Sequence, residues 1–133
     1  RCKTAPDGCF VHDSYNSQDS VNSIKWNDVT LRCGVMEYYR GLIAVRKFFP
    51  QFRMRDAESI RKIRFETLEG GAVAADFGGL LLIVNPAAHP LKYENGRRMM
   101  VYADHITAGT RPLFIADGAV SVAPRGIILA EYR

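Results

Sequence analysis

The densest polar cluster in the chain is His12-Asp13-Ser14-Tyr15-Asn16-Ser17-Gln18-Asp19-Ser20-Val21-Asn22. An aromatic ring, primary amides and carboxylates in one short run can bind a sugar by ring stacking and paired hydrogen bonds. The same residue types also make an ordinary solvated loop, because short polar side chains bond back to their own backbone. Glycosidase chemistry needs two carboxyl groups flanking the scissile bond. Asp13, Asp19, Asp28 and Asp104 are available, but no spacing pairs them. His12, His89 and His105 fall in separate expected loops, so neither a metal site nor a nucleophilic triad is indicated. Cys2, Cys9 and Cys33 form no CxxC pair and do not supply a zinc site; free thiols are expected, and they leave the compartment open. No glycine-rich loop leads from a strand into a helix, so no nucleotide cofactor is expected.

These residues sit in 133, of which 47% are hydrophobic and 24% charged. That composition excludes whole-chain disorder, and the length allows one domain or one small domain plus a piece of another. The longest apolar run, Leu80 to Val84, is far short of the roughly 20 residues that span a bilayer, so no membrane partner is expected. The formal charge of +4 is small. The cations between Arg40 and Arg64 are not interleaved with aromatic residues, so they are expected to form a solvated face and not a nucleic-acid platform.

Residues 1–27 are polar and without periodicity, begin with neither Met nor a leader-like segment, and are expected to be a loop belonging to something larger. From Gly34 to Phe49 the pattern is helical. Tyr38, Leu42, Val45 and Phe49 follow at steps of 4, 3 and 4, and Tyr39 and Ile43 widen the stripe. Asp28 and Thr30 are candidate caps, and Pro50 ends the helix. Beyond residue 58 the pattern turns to β. Short strands are expected at residues 60–65, 72–77, 80–85, 99–103, 113–116, 119–122 and 127–132, with Pro86, Pro90 and Asn95-Gly96 punctuating a longer connection and Asp117-Gly118 as a tight hairpin turn. Hairpin spacing without crossover helices predicts an antiparallel sandwich, with residues 80–85 central because they are apolar on both faces.

Three stretches resemble one family. Arg1-Cys2-Lys3, then Asp13-Ser14-Tyr15-Asn16-Ser17-Gln18-Asp19-Ser20-Val21-Asn22-Ser23-Ile24-Lys25-Trp26, resembles a segment of the type I pullulanases. These are α-1,6-debranching members of the α-amylase superfamily, glycoside hydrolase family 13, and the segment follows the last strand of their catalytic barrel. Tyr38-Tyr39-Arg40-Gly41-Leu42-Ile43-Ala44-Val45-Arg46-Lys47-Phe48-Phe49-Pro50-Gln51-Phe52-Arg53 resembles the final barrel helix. The remainder, down to Val120-Ser121-Val122-Ala123-Pro124-Arg125-Gly126-Ile127-Ile128-Leu129, resembles the antiparallel C-terminal domain. Asp13 and Lys25 depart from the family pattern, which has Asn and Asp there.

The resemblance implies a mostly β (α+β) chain. Residues 1–53 would be the end of a (β/α)8 barrel, with a cleft loop over 1–30 and the last helix over 34–49, and residues 54–133 an all-β sandwich. It implies α-glucan as the substrate of the parent enzyme, with Tyr15, Asn16, Asp19 and Asn22 as the sugar contacts, and calcium sites, common in the family, largely upstream. The acidic residues of this chain make no calcium-ligand set, so no metal and no cofactor are expected in it. A retaining mechanism is implied, with catalytic carboxylates upstream of Arg1 and hence an inactive fragment. The missing barrel would be the partner of the helix stripe. Without it the Leu42/Phe49 face is expected either to self-associate or to collapse onto the sheet. The competing classes are a freestanding carbohydrate-binding sandwich and a basic nucleic-acid binder.

Overall fold

A computed structural model describes residues 15, 18–22, 26 and 32–132. The chain divides into two compact units, Arg1–Cys33 and Gly34–Arg133. In the first, Asp19–Asn22 forms a single helical turn, α1. The expected caps Asp28 and Thr30 lie outside the described residues, as do Cys2, Cys9 and His12.

The second unit opens on the expected helix. Helix α2, Cys33–Phe48, is prolonged by a bond from the Phe49 N–H to the Val45 carbonyl at 3.0 Å. Arg46 and Lys47 occupy its last turn, where cations offset the exposed carbonyls, and Arg53 Nη2 donates to the Lys47 carbonyl at 3.0 Å. Pro50 ends it by starting a turn of 3-10 helix, Pro50–Arg53.

A second short helix, α3 (Ala57–Arg61), stands where the sequence suggested a strand from residue 60. The alternation there is brief. It is overridden by Asp56, whose Oδ1 accepts the Ser59 N–H at 2.7 Å, and by the Glu58–Lys62 ion pair one turn apart. The strands are β1 (Arg64–Thr67), β2 (Val73–Asp76), β3 (Leu80–Asn85), β4 (Leu91–Ala103), β5 (Phe114–Val122) and β6 (Gly126–Tyr132). All pair antiparallel in one six-stranded sheet of order β1-β2-β3-β6-β4-β5. The antiparallel architecture and the central, two-sided burial of β3 are as expected.

Two readings of the sequence are corrected. Asp117-Gly118 is not a hairpin turn, and Asn95-Gly96 does not punctuate a loop. Both lie inside long paired strands. Glu94 pairs with Ala119 and Arg98 with Asp117, so three residues of β4 face only Gly118 of β5. Gly96 (φ 68°) and Gly118 (φ 79°) adopt the left-handed conformation that such a bulge needs. An Asx-Gly pair serves a turn or a bulge equally well, and local sequence does not separate the two.

The bulge lets the ribbon of β4 and β5 fold over the rest of the sheet. Leu91 of β4 and Val120 and Val122 of β5 share a buried cluster with Ala74 of β2 and with Leu81 and Ile83 of β3. Yet β3 and β5 are not sheet neighbours. One sheet therefore supplies both sides of a sandwich-like core. Asn85, 2% exposed, pins the fold at the end of β3. Its Nδ2 donates to the carbonyls of His89 (2.9 Å) and Ala123 (3.0 Å), and its Oδ1 accepts the Ala87 N–H (3.1 Å).

Helix α2 covers the opposite face. Val45 and Phe49 are buried with Leu80, Tyr102 and Leu129, and Leu42 packs beside them. Phe49 meets Tyr102 edge-on, with ring centroids 4.9 Å apart. The Tyr38 hydroxyl donates to the Asp104 carbonyl at 2.7 Å, and a Cβ on Gly41 would overlap the Ala108 carbonyl. The Leu42/Phe49 face is thus packed onto the sheet, one of the two expected fates. The stripe is narrower than expected: Met36, Tyr39 and Ile43 point away from the sheet and are exposed.

Candidate functional site

Three of the four expected sugar contacts lie among the described residues; Asn16 does not, and neither do Asp13 and Lys25. Tyr15 is 88% exposed, which suits a ring that stacks on a ligand. Asp19 opens α1 and is exposed; Asn22 closes it, half-buried, with its N–H bonded to the Gln18 carbonyl at 3.1 Å. One turn apart, Asp19 and Asn22 share a side of the helix. The carboxylate of Asp19 also offsets the positive end of that turn.

Asp104, another candidate carboxylate, serves the fold instead. Its Oδ1 accepts the N–H groups of Ile106 (2.7 Å) and Thr107 (2.6 Å) and closes the turn after β4. His89 and His105 lie in exposed bends. Among the described residues no three His, Cys, Asp or Glu side chains are grouped to hold a metal ion. None of their helices is long and apolar enough to cross a membrane.

The second unit carries a polar cluster that the sequence did not announce. It lies at the open edge of the core, where β1 and β2 face the bulge of β4. In the pairing register Arg64 aligns with Asp76 and Leu81, and Glu66 with Ala74 and Ile83, so these residues share one face of the sheet. The Tyr132 hydroxyl donates to Asp76 Oδ2 at 2.6 Å, while Asp76 Oδ1 accepts the N–H groups of Gly78 (2.9 Å) and Gly79 (3.1 Å). The Arg97 guanidinium lies 4.9 Å above the Tyr132 ring. Tyr93 and Tyr132 both pack against the core below.

Electrostatics follow from these contacts. Burial pulls the Asp76 carboxyl upward, but the Tyr132 hydroxyl, the Gly79 and Gly78 N–H groups and the Arg64 charge together hold it below the ordinary range. Burial raises the Tyr132 hydroxyl, its bond to Asp76 raises it further, and Arg97 works the other way. Burial also raises Tyr93, helped by the charges of Glu66 and Asp76 and a hydrogen bond to Glu66. In the sequence, Asp76 before Phe77-Gly78-Gly79 signals only a turn, and nothing in the order of residues links it to Tyr132.

No family model matches the chain. Among curated proteins, pullulanase A of Streptococcus pneumoniae is 34% identical over 68 residues, covering 46% of this chain and 5% of that protein. The pullulanase of Bacillus subtilis is 38% identical over 52 residues, covering 39% of this chain and 7% of the relative. The chain thus spans only a small part of the length of these relatives. Among solved structures, the pullulanase from Bacillus acidopullulyticus superposes with a TM-score of 0.79 at 22% identity, over 89% of this chain and 16% of that one. Type I pullulanase from Bacillus subtilis complexed with maltose gives 0.75 at 24%, over 92% of this chain and 19% of that one. The Anoxybacillus pullulanase complexed with maltotetraose gives 0.77 at 17%, over 91% and 18%. At these identities the structural likeness is one of fold, and the sequence matches cover less than half of the chain. The chain is thus similar to a part of the pullulanases, in sequence over less than half of its length and in fold over most of it.

Proposed function

We propose that this chain is the C-terminal part of a pullulanase-like debranching enzyme that hydrolyses α-1,6-glucosidic bonds in pullulan and branched α-glucans. The observation that carries this reading is the convergence on one enzyme type of sequence matches covering 39–46% of the chain and fold matches covering 89–92%. In this reading residues 1–53 are the end of a catalytic barrel and residues 54–133 its C-terminal β domain. The exposed Met36, Tyr39 and Ile43 of α2 support it, since they give the rest of a longer polypeptide an apolar surface to cover.

The carboxyl pair that a retaining mechanism requires belongs, in this reading, to the barrel strands that precede Arg1. The loop around Tyr15, Asn16, Asp19 and Asn22 contacts the glucan in the cleft, and the 133-residue chain alone is inactive. The test is to capture the native protein from its source with an antibody to this chain, weigh it intact and assay it on pullulan. A barrel alone takes about 250 residues, so the expected mass is several times that of the chain, with release of reducing sugar. The isolated chain is expected to release none. A native mass close to that of the chain itself would overturn the reading in favour of a stand-alone carbohydrate-binding module. So would a full-length protein without action on pullulan.

A further inference from the structure

The groove at the open edge of the sheet core has no role in the function proposed above. Its floor is apolar, formed by Ala74 and Leu81, and its sides carry Glu66, Asp76, Tyr93, Asn95, Arg97 and Tyr132. Two guanidinium groups, Arg64 and Arg97, balance two carboxylates, Glu66 and Asp76. A groove of that balance has no net attraction for a phosphate, a polyanion or a cation. It offers a ligand hydrogen-bond donors and acceptors in alternation above an apolar base, and aromatic side chains fixed from beneath.

The fixing is specific. Asp76 accepts from two backbone N–H groups and from Tyr132, so the Tyr132 proton is committed inward and its oxygen is left to accept from outside. Arg97 lies over the Tyr132 ring, with its guanidinium at the mouth of the groove. Asn95 Oδ1 accepts the Arg97 N–H at 3.0 Å, which holds the bulge that aims both residues. Bulges of this kind re-aim side chains at functional positions. A neutral, polyhydroxylated and elongated ligand matches all of these features.

We propose that this groove, between β1–β2 and the β4 bulge, is a non-catalytic binding site for a linear α-glucan segment. It shares no residue with the loop around Tyr15. The choice of an α-glucan over other neutral saccharides rests on the pullulanase reading; the groove itself does not. Such a site would hold one part of a long polymer while the cleft works on another, so a weak site is sufficient.

The test is a titration of the full 133-residue chain with maltotetraose, followed by residue-resolved NMR, with cellotetraose as the β-linked control. Saturable shifts at Tyr93, Arg97 and Tyr132 are expected with maltotetraose and not with cellotetraose. Arg97→Ala is expected to weaken binding about tenfold, the loss of roughly one hydrogen bond to a charged group. Glu66→Gln, on the exposed edge strand, provides a second variant that leaves the fold intact and is expected to weaken binding as well. Absence of saturable shifts, shifts confined to residues 15–22, an equal response to cellotetraose, or unchanged affinity in both variants would each overturn the proposal. Hydrolysis of pullulan by the captured native protein reports on the pullulanase reading independently. Hydrolysis there without binding here therefore removes the groove site alone.

Discussion

Tyr132 and Asp76 lie 56 residues apart in sequence and 2.6 Å apart in space, and their contact ties the last strand to the turn that joins β2 to β3. Around neutral pH the phenol donates and the carboxylate accepts. The Asp76 pKa is lowered in the folded chain, so its stabilisation is present above the ordinary carboxylate range and fades as the pH falls through the folded value. The Tyr132 pKa is raised, so its stabilisation is present below the ordinary phenol range and fades as the pH rises toward the folded value. Denaturant midpoints across pH are therefore expected to fall at both ends for the parent chain and to fall less steeply at both in Tyr132→Phe, where Gly78, Gly79 and Arg64 still hold Asp76 down. At neutral pH that variant is expected to lose about 1–2 kcal/mol. A variant with the parental pH profile would show that the contact is not formed in solution.

Helix α2 makes opposite predictions for two of its glycines. Helix propensity alone says that Gly→Ala stabilises any helix interior by up to about 1 kcal/mol. At Gly34 nothing lies within 4 Å of the added Cβ, and stabilisation of that order or less is expected. At Gly41 the Cβ would run into the backbone of Ala108, which has no flexible side chain to move aside. There Gly41→Ala is expected to cost about 1–3 kcal/mol as the helix is pushed off the sheet. Thermal melts of the two variants against the parent decide it. Stabilisation at both positions would mean that α2 is not seated on the sheet.

Asn85 is a test of the folded-over sheet. Asn85→Ala strands the Ala87 N–H and the carbonyls it served, and about 2–4 kcal/mol of lost stability is expected. Asn85→Asp keeps the shape but points a negative acceptor at carbonyl oxygens. It is expected to destabilise at least as much near neutral pH, with partial recovery in acid where the carboxyl regains a proton. Chemical denaturation at two pH values checks both. A neutral effect in Asn85→Ala would mean that the end of β3 is held by packing alone.

The fold was legible where periodicity was long. The stripe Tyr38, Leu42, Val45, Phe49 specified α2 and its buried face, and the apolar run at 80–84 specified the central strand. Legibility failed where a short signal has two structural meanings. Asp117-Gly118 and Asn95-Gly96 suit a turn as well as a bulge, and only the pairing of β4 with β5 chooses the bulge. The alternation expected from residue 60 lost its first residues to the cap of Asp56, whose partner, Ser59, is three residues on, while Arg64 and Phe65 do lie in β1. The groove was illegible for a different reason: Glu66, Asp76, Arg97 and Tyr132 come from four strands, and the register that aligns them is a property of the whole sheet.

The role proposed for the loop around Tyr15 rests on its residue types, and it is to be tested in the full-length protein. Tyr15, being 88% exposed, supports no packing of its own, so Tyr15→Ala is expected to leave the melting temperature unchanged. If the ring stacks on bound glucan in ground and transition states alike, the variant raises KM for pullulan about tenfold and leaves kcat near the parental value. Asp19→Asn separates the two roles open to that side chain. Loss of its charge at the start of α1 costs about 0.3–1 kcal/mol for an exposed group, whereas turning a sugar-bonded carboxylate oxygen into an NH2 donor raises KM as Tyr15→Ala does. Steady-state kinetics on pullulan, with each variant's melt alongside, distinguish them. A fall in kcat at constant KM would place the loop in contact with the reacting bond, and unchanged kinetics in both variants would remove it from the cleft.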